Sequence, residues 1–203
     1  MLPASPMLSK PVSSHGDMLT FFSHEEKVLF VPKDYYEENK EAFDGVRVEL
    51  IDEVLSNEYP RDIYLDALPV GEYLLCKSEY TAEKIKAGRR IIDVKQGYAR
   101  CSVCLLGQEG AITADRGLKK ELEKIGINVL LIDSGSIRLE GYSYGFIGGA
   151  SLVIDKNVIF FGDVTRHPDG ERMLEFIRSL GYTVEYPEDM LLTDLGSAAV
   201  INI

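Results

Sequence analysis

Apolar positions along this chain fall into short runs, and the runs recur in one order. A strand-length apolar run is followed by a helix-length segment and then by a second apolar run. Lys27–Val31, Lys33–Phe43 and Val46–Ile51 predict strand, helix and strand, with Pro32 ending the first. Tyr73–Cys76, Tyr80–Lys86 and Arg90–Val94 repeat the order, as do Ala111–Ala114, Gly117–Lys124 and Asn128–Ile132. Val158–Phe161, Pro168–Leu180 and Thr183–Tyr186 predict a fourth copy. Leu118, Leu122 and Ile125 fall on one helical face, and so do Met173, Phe176, Ile177 and Leu180, so each helix covers a sheet on one side. Asp115 suits an N-cap, Gly126 and Gly181 suit positions just past a helix end, and Pro168 suits a first helical turn.

A second element recurs between these units. It is short and apolar and carries one polar or small group: His15-Gly-Asp-Met, Leu65-Asp-Ala-Leu, Cys101-Ser-Val-Cys, Gly148-Gly-Ala-Ser and Asp194-Leu-Gly-Ser. With His15, Asp66, Cys101, Gly149 and Asp194 as markers, the gaps are 51, 35, 48 and 45 residues. Five such strands, each opening a strand–helix–strand unit, describe a ring of similar blades whose innermost strands meet at an axis. Asp17, Asp66, Cys101, Ser151 and Asp194 are expected there. Residues 1–10 read as an irregular lead and 11–203 as one domain.

Composition narrows the function. The 203 residues carry a net charge of -11 and are 45% apolar, which fits a folded chain and disfavours contact with phosphate backbones. No apolar run approaches the ~20 residues that cross a bilayer, and the first 18 residues lack the apolar stretch of a secretory signal, so no membrane partner and a cytoplasmic location are expected. Three cysteines (Cys76, Cys101, Cys104) suit a reducing compartment. Cys101 and Cys104 also form a CxxC, but a zinc site needs two more ligands at matching spacing, and no second pair exists. On a strand, residues three apart face opposite sides. Neither a metal nor a cofactor is expected.

In their order, SSHGDML, RDIYLDALPV, YARCSVCLL and TDLGSAAV resemble the pentein superfamily, which includes arginine deiminases, agmatine deiminases and dimethylarginine dimethylaminohydrolases. The chain is also similar to an uncharacterised bacterial pentein-like family with the strings VKQGYA-x-CSVC, YGFIGGAS and HPDGE. The resemblance covers nearly all of residues 11–203. It implies a pentein-like α/β-propeller of ββαβ-type repeats about a pseudo-fivefold axis, with the last blade incomplete. It implies Cys101 and His15 as catalytic residues, and Asp17, Asp66 and Asp194 as carboxylates that grip a cationic small molecule. Three departures stand out. FIGGAS (Phe146–Ser151) lacks the carboxylates of the matching family strand. The Cys strand is third here and last in the enzymes, a cyclic shift that a closed ring tolerates. The short lead before His15 and the end at Ile203 leave half a blade missing. The expectation is an open ring, self-association through the gap, or a recorded start that is too late.

The chemistry follows from the residue types. A thiolate at Cys101 attacks the planar carbon of a guanidinium, and attack is faster beside a cation such as protonated His15, which later protonates the leaving amine. Carboxylates at 17, 66 and 194 hold the ligand by charge-assisted hydrogen bonds. Each residue also has a plain reading. Cys101 is then a small buried apolar side chain, His15 belongs to a frayed terminus, and Asp66 and Asp194 cap turns. The function expected is a guanidino or amidino hydrolase or transferase working through a covalent cysteine adduct. The alternative is a non-catalytic protein that binds a small ligand or a protein partner, since the same fold also serves a ribosome-binding factor. His167-Pro-Asp-Gly170 reads as a helix start, Gly148-Gly149 as a close packing point, and Lys119-Lys120 and Arg89-Arg90 as solvated charges.

Overall fold

Twelve short strands in the computed structural model, which describes residues 2–198, form four sheets of three strands each. The sheets comprise β1 (Phe21–Ser23), β2 (Val28–Pro32) and β3 (Val48–Ile51); β4 (Leu68–Val70), β5 (Tyr73–Cys76) and β6 (Arg90–Asp93); β7 (Val103–Leu106), β8 (Gly110–Thr113) and β9 (Asn128–Leu131); and β10 (Ser151–Ile154), β11 (Asn157–Phe160) and β12 (Thr183–Glu185). In every sheet the first strand pairs antiparallel with the second and the second pairs parallel with the third. A parallel pair needs a crossover, and a helix supplies each one. The crossovers are α2 (Lys33–Glu38), α3 (Glu83–Lys86), α4 (Arg116–Lys124) and α5 (Gly170–Ser179), while α1 (Gly16–Leu19) precedes β1. The protein is thus mixed α/β, built from four copies of one ββαβ unit.

The chain divides into two compact units, residues 2–98 and 99–198 among those described. The first holds the sheets β1–β3 and β4–β6 around Phe21, Phe30, Ile51, Leu65, Leu74, Cys76 and Ile85. Its lead is not loose: Ser5 and Leu8 are buried, and the Tyr35 hydroxyl donates to the Pro3 carbonyl at 2.6 Å. The second unit holds β7–β9 and β10–β12 around Leu106, Ile112, Phe160, Met173 and Ile177.

Local chemistry sets the helix ends in the second unit. Asp115 Oδ1 accepts N–H bonds from Gly117 and Leu118 at 2.7 and 2.8 Å, the N-cap expected of it. Past α4, the N–H of Gly126 bonds to Glu123 and that of Ile127 to Leu122; past α5, Gly181 and Tyr182 repeat the pattern on Arg178 and Ile177. This double closure needs a left-handed residue, and Gly126 and Gly181 sit at φ +87 and +78°.

Several expectations need correcting. The tetrads expected as innermost strands lie ahead of them. Asp66, Cys101 and Gly149 each stand two residues before a first strand, while His15 and Asp17 belong to the start of α1. Backbone bonds explain the shift: Asp66 N–H to Ile63, Val103 N–H to Arg100 and Ala150 N–H to Phe146 close turns around Asp66, Cys101 and Gly149, which stand outside the ladders. At the fifth tetrad, among the described residues, Thr193 beside Asp194 makes only an isolated bridge to Arg138, and residues 199–203 lie outside those described. α3 starts only at Glu83, α2 stops at Glu38, and α5 starts at Gly170, leaving Pro168 ahead of the N-cap. Arg89 is not solvated: its guanidinium donates to Ser23 Oγ at 2.8 Å and lies over the Phe21 ring.

Candidate functional site

In the first unit the turn after the 3-10 segment Lys10–Val12 leads into α1, where Leu19 and Met18 enter the core and carry Asp17 inward with them. Asp17 stands in the first turn of that helix, yet its carboxylate caps nothing. Both of its oxygens are buried with no hydrogen-bond partner. Asp66 is fully buried, in the turn that leads into β4, and a carboxylate oxygen of Asp66 lies within 4.8 Å of one of Asp17. Two ionised carboxylates this close repel in a low-dielectric setting, and a cation bearing several N–H donors offsets that. His15 is the N-cap of the same helix and is 5% exposed, so it is no part of a frayed terminus.

The loop that carries Asp66 holds a second group that the sequence did not reveal. Tyr98 donates its hydroxyl to Asp62 Oδ2 at 2.6 Å, while Asp62 Oδ1 is buried without a partner. The Tyr59 ring packs beside Tyr98 at 5.9 Å and presses on Gly97, where a Cβ would lie 2.9 Å from it. Lys77 donates to the Tyr59 hydroxyl and sits over the Tyr59 and Tyr80 rings. No local motif marks this group, because its partners are up to 36 positions apart.

In the second unit Cys101 is 3% exposed, in the turn before β7. Gly149 donates its N–H to the Cys101 carbonyl at 3.0 Å, and its own carbonyl accepts from Leu195 and Ser197. A Cβ at Gly148 would lie 2.4–2.5 Å from the carbonyl oxygens of Arg100, Cys101 and Val103. The glycine pair is therefore a close approach of backbones, as expected, although turns rather than strands make the contact. Asp194 is buried against the same glycines. Its Oδ2 accepts from Phe146 N–H at 2.8 Å and its Oδ1 from Gly196 N–H at 3.0 Å, so it does cap a turn. Arg100 holds the following segment through Ser197 Oγ at 2.9 Å. The FIGGAS segment thus seats a carboxylate from elsewhere in the chain.

Thiol reactivity differs by setting. Cys104 is buried, and desolvation pushes its thiol up to about 11. Burial also raises Cys76 above its ordinary value. No disulfide joins the three cysteines.

The structure therefore brings Asp17 together with Asp66 in the first unit, and Cys101 together with Asp194, across Gly149, in the second. His15 belongs to the first. His167-Pro-Asp-Gly170 is a helix start, as expected, but the capping atom is unexpected: His167 Nδ1 accepts the Asp169 N–H at 3.0 Å.

Solved structures share this fold. A dimethylarginine dimethylaminohydrolase from Pseudomonas aeruginosa, a cysteine-to-serine mutant complexed with citrulline, aligns with a TM-score of 0.52 and 17% identity, covering 86% of this chain and 69% of that one. A dimethylarginine dimethylaminohydrolase adduct with 4-chloro-2-hydroxymethylpyridine gives 0.51 and 17%, covering 86% and 71%. A histidine-to-glycine variant of such an enzyme, as an adduct with S-methyl-L-thiocitrulline, gives 0.51 and 16%, covering 86% and 69%. At such identity the likeness is one of fold. No curated protein matches the sequence. A family model matches residues 1–199, and the chain belongs to that family, described as "Family of unknown function (DUF6873)".

Proposed function

We propose that the protein is a pentein-like enzyme that acts on a guanidino or amidino small molecule through a covalent adduct on Cys101. The observation that carries this reading is the buried Asp17–Asp66 pair, with both Asp17 oxygens lacking a partner. A guanidinium offers five N–H donors in a plane and a positive charge, which suits the two unpartnered oxygens of Asp17 beside a second carboxyl group. Calcium takes about 6–8 oxygens and two carboxyl groups supply at most four, so a ligand that brings its own donors suits the pair better than that ion.

In the proposed reaction the Cys101 sulfur forms a bond to the guanidinium carbon. The C–N bond to the leaving amine breaks, and His15 supplies the proton that the amine carries away. Water or an acceptor amine then displaces the sulfur, which gives hydrolysis or amidino transfer. Asp194 has two of its hydrogen bonds inside the protein, so within this reading it orients a segment as well as contributing charge.

The same proposal treats the four ββαβ units as blades about a pseudo-fivefold axis, with the Asp194 segment as the inner part of a fifth. The third strand of each sheet is an edge, and self-association through such an edge belongs to the proposal, with sedimentation as its test.

The experiment is incubation with 4-chloro-2-hydroxymethylpyridine and with S-methyl-L-thiocitrulline, followed by intact and peptide mass spectrometry. An adduct on Cys101 that is lost in Cys101→Ser and in His15→Ala supports the enzyme. Modification confined to Cys76 or Cys104, or none at all, overturns it. Thermal stabilisation by agmatine or arginine without any adduct supports the alternative, a non-catalytic binding protein.

A further inference from the structure

The start of α5 carries a feature that the proposed reaction does not use. His167 is 4% exposed, between a 3-10 turn (Val164–Arg166) and the helix. A neutral imidazole has one donor nitrogen and one acceptor. Nδ1 accepts the Asp169 N–H at 3.0 Å, so the ring proton resides on Nε2, which is buried with no partner. The hydrogen bond to Asp169 is one polar tie on the ring, and the Asp133 backbone acts on it as well. It also satisfies an N–H at the N-cap of α5, where Asp169 makes no side-chain cap bond of its own.

The surroundings are charged. Asp169 Oδ2 accepts the Asp133 N–H at 2.7 Å, and Arg172 pairs with Asp169 Oδ1 and reaches the Leu131 carbonyl at 3.4 Å. Asp169 and Asp133 are the charged groups that act on the ring, one from its own loop and one from the loop after β9.

We propose that His167 is an acid-sensing latch on the first turn of α5. A proton taken from water by Nδ1 turns the acceptor into a donor that faces the Asp169 N–H. That hydrogen bond is then lost. The ring, now cationic, is drawn toward the carboxyl groups of Asp169 and Asp133 and competes there with Arg172 and the Asp133 N–H. The neutral ring thus holds the helix start, and the charged ring releases it as it turns toward Asp133.

Burial keeps His167 below its ordinary value of 6.5, against the pull of Asp169 and Asp133, so release belongs to mildly acid solution. The release also has a path toward the candidate site. Asp163, at the start of the same 3-10 turn, donates its N–H to Met190, and a Cβ at Gly162 would lie 2.3 Å from the Leu191 carbonyl. Both contacts seat the segment that leads to Asp194.

Amide hydrogen exchange between pH 7.5 and 4.5, corrected for intrinsic rates, reads the latch. The expected result is at least a tenfold loss of protection in residues 170–174 on acidification, while the β7–β9 ladder keeps its protection. His167→Asn keeps a short acceptor and cannot titrate, so its protection should stay flat across the range. In the wild-type protein the imidazole Cε1–H resonance of His167 gives a second reading, and its midpoint should coincide with the loss of protection. Flat protection in the wild type, an equal pH response in the variant, or an imidazole midpoint that does not match would each overturn the proposal.

Discussion

The Cα of Gly149 stands so close to the Asp194 carboxylate that a methyl group on it would lie 2.0 Å from Oδ1. The same residue bonds to the Cys101 carbonyl, so one glycine joins the candidate nucleophile's turn to a buried acid. Gly149→Ala is expected to lower stability by about 1–3 kcal/mol, the range for forced overpacking. In an Asp194→Ala background the added methyl has room, and the penalty should shrink. A double-mutant cycle by denaturant melts measures this, and strict additivity would contradict the contact.

Asp17→Asn is expected to separate stability from ligand binding. The buried carboxyl makes no hydrogen bond, and its removal relieves repulsion with Asp66, so the unliganded variant should melt at or above the wild-type temperature. If a guanidinium is the ligand, the variant should bind agmatine or arginine about 10–100-fold more weakly, the worth of a hydrogen bond to a charged group. Calorimetric titration decides between these outcomes, and unchanged affinity would remove Asp17 from the site.

Iodoacetamide labelling near neutral pH should discriminate among the thiols. Cys104 at about 11 and the raised Cys76 carry almost no thiolate there and should label slowly. Cys101 is expected to label faster than either, and His15→Ala should slow it. Equal, slow labelling of all three would mean that Cys101 is a packed apolar side chain.

Stability should fall in mild acid, and the sign is set by two groups. The folded value of His167 lies below its unfolded 6.5, so between the two the unfolded chain binds more protons, and stability drops as pH falls below 6.5. For Asp169, burial pushes the value up, but the Asp133 N–H and Arg172 outweigh it and hold the folded value below 3.8. Its stabilisation is present above pH 3.8 and is lost as pH falls through the folded value. Thermal melts of His167→Asn should therefore decline less than wild type between pH 6.5 and 5, and should converge with it in slope nearer pH 3.

The second and third strands of each unit were legible in the sequence because dense apolar runs and glycine stops mark them. Tyr73–Cys76 agrees to the residue, and Asn128 opens β9 as expected. The first strands were displaced because turns closed by main-chain bonds, such as Asp66 to Ile63, leave no side-chain signature. Asp66, Cys101 and Asp194 stood out as polar or reactive residues in apolar surroundings, and all three are buried. Asp62 and Tyr98 did not, since the bond between their side chains spans 36 positions. His167 looked like punctuation before a helix, because its acceptor role depends on a ring orientation that spacing does not encode.

All four sheets are assembled from strands that are consecutive in the chain. Among the described residues no ladder crosses residues 52–67, 94–102 or 132–150, where Arg138 makes only an isolated bridge, so a break in these segments leaves the four sheets intact. The longest loop any sheet must close is the helical crossover within its own unit, and closure entropy grows only slowly at such lengths. Such a chain can be opened at a seam while every sheet keeps its internal wiring. The hairpin with its crossover is then the unit that evolution moves, and the order in which motifs appear along a gene carries little information about where they stand in the folded protein.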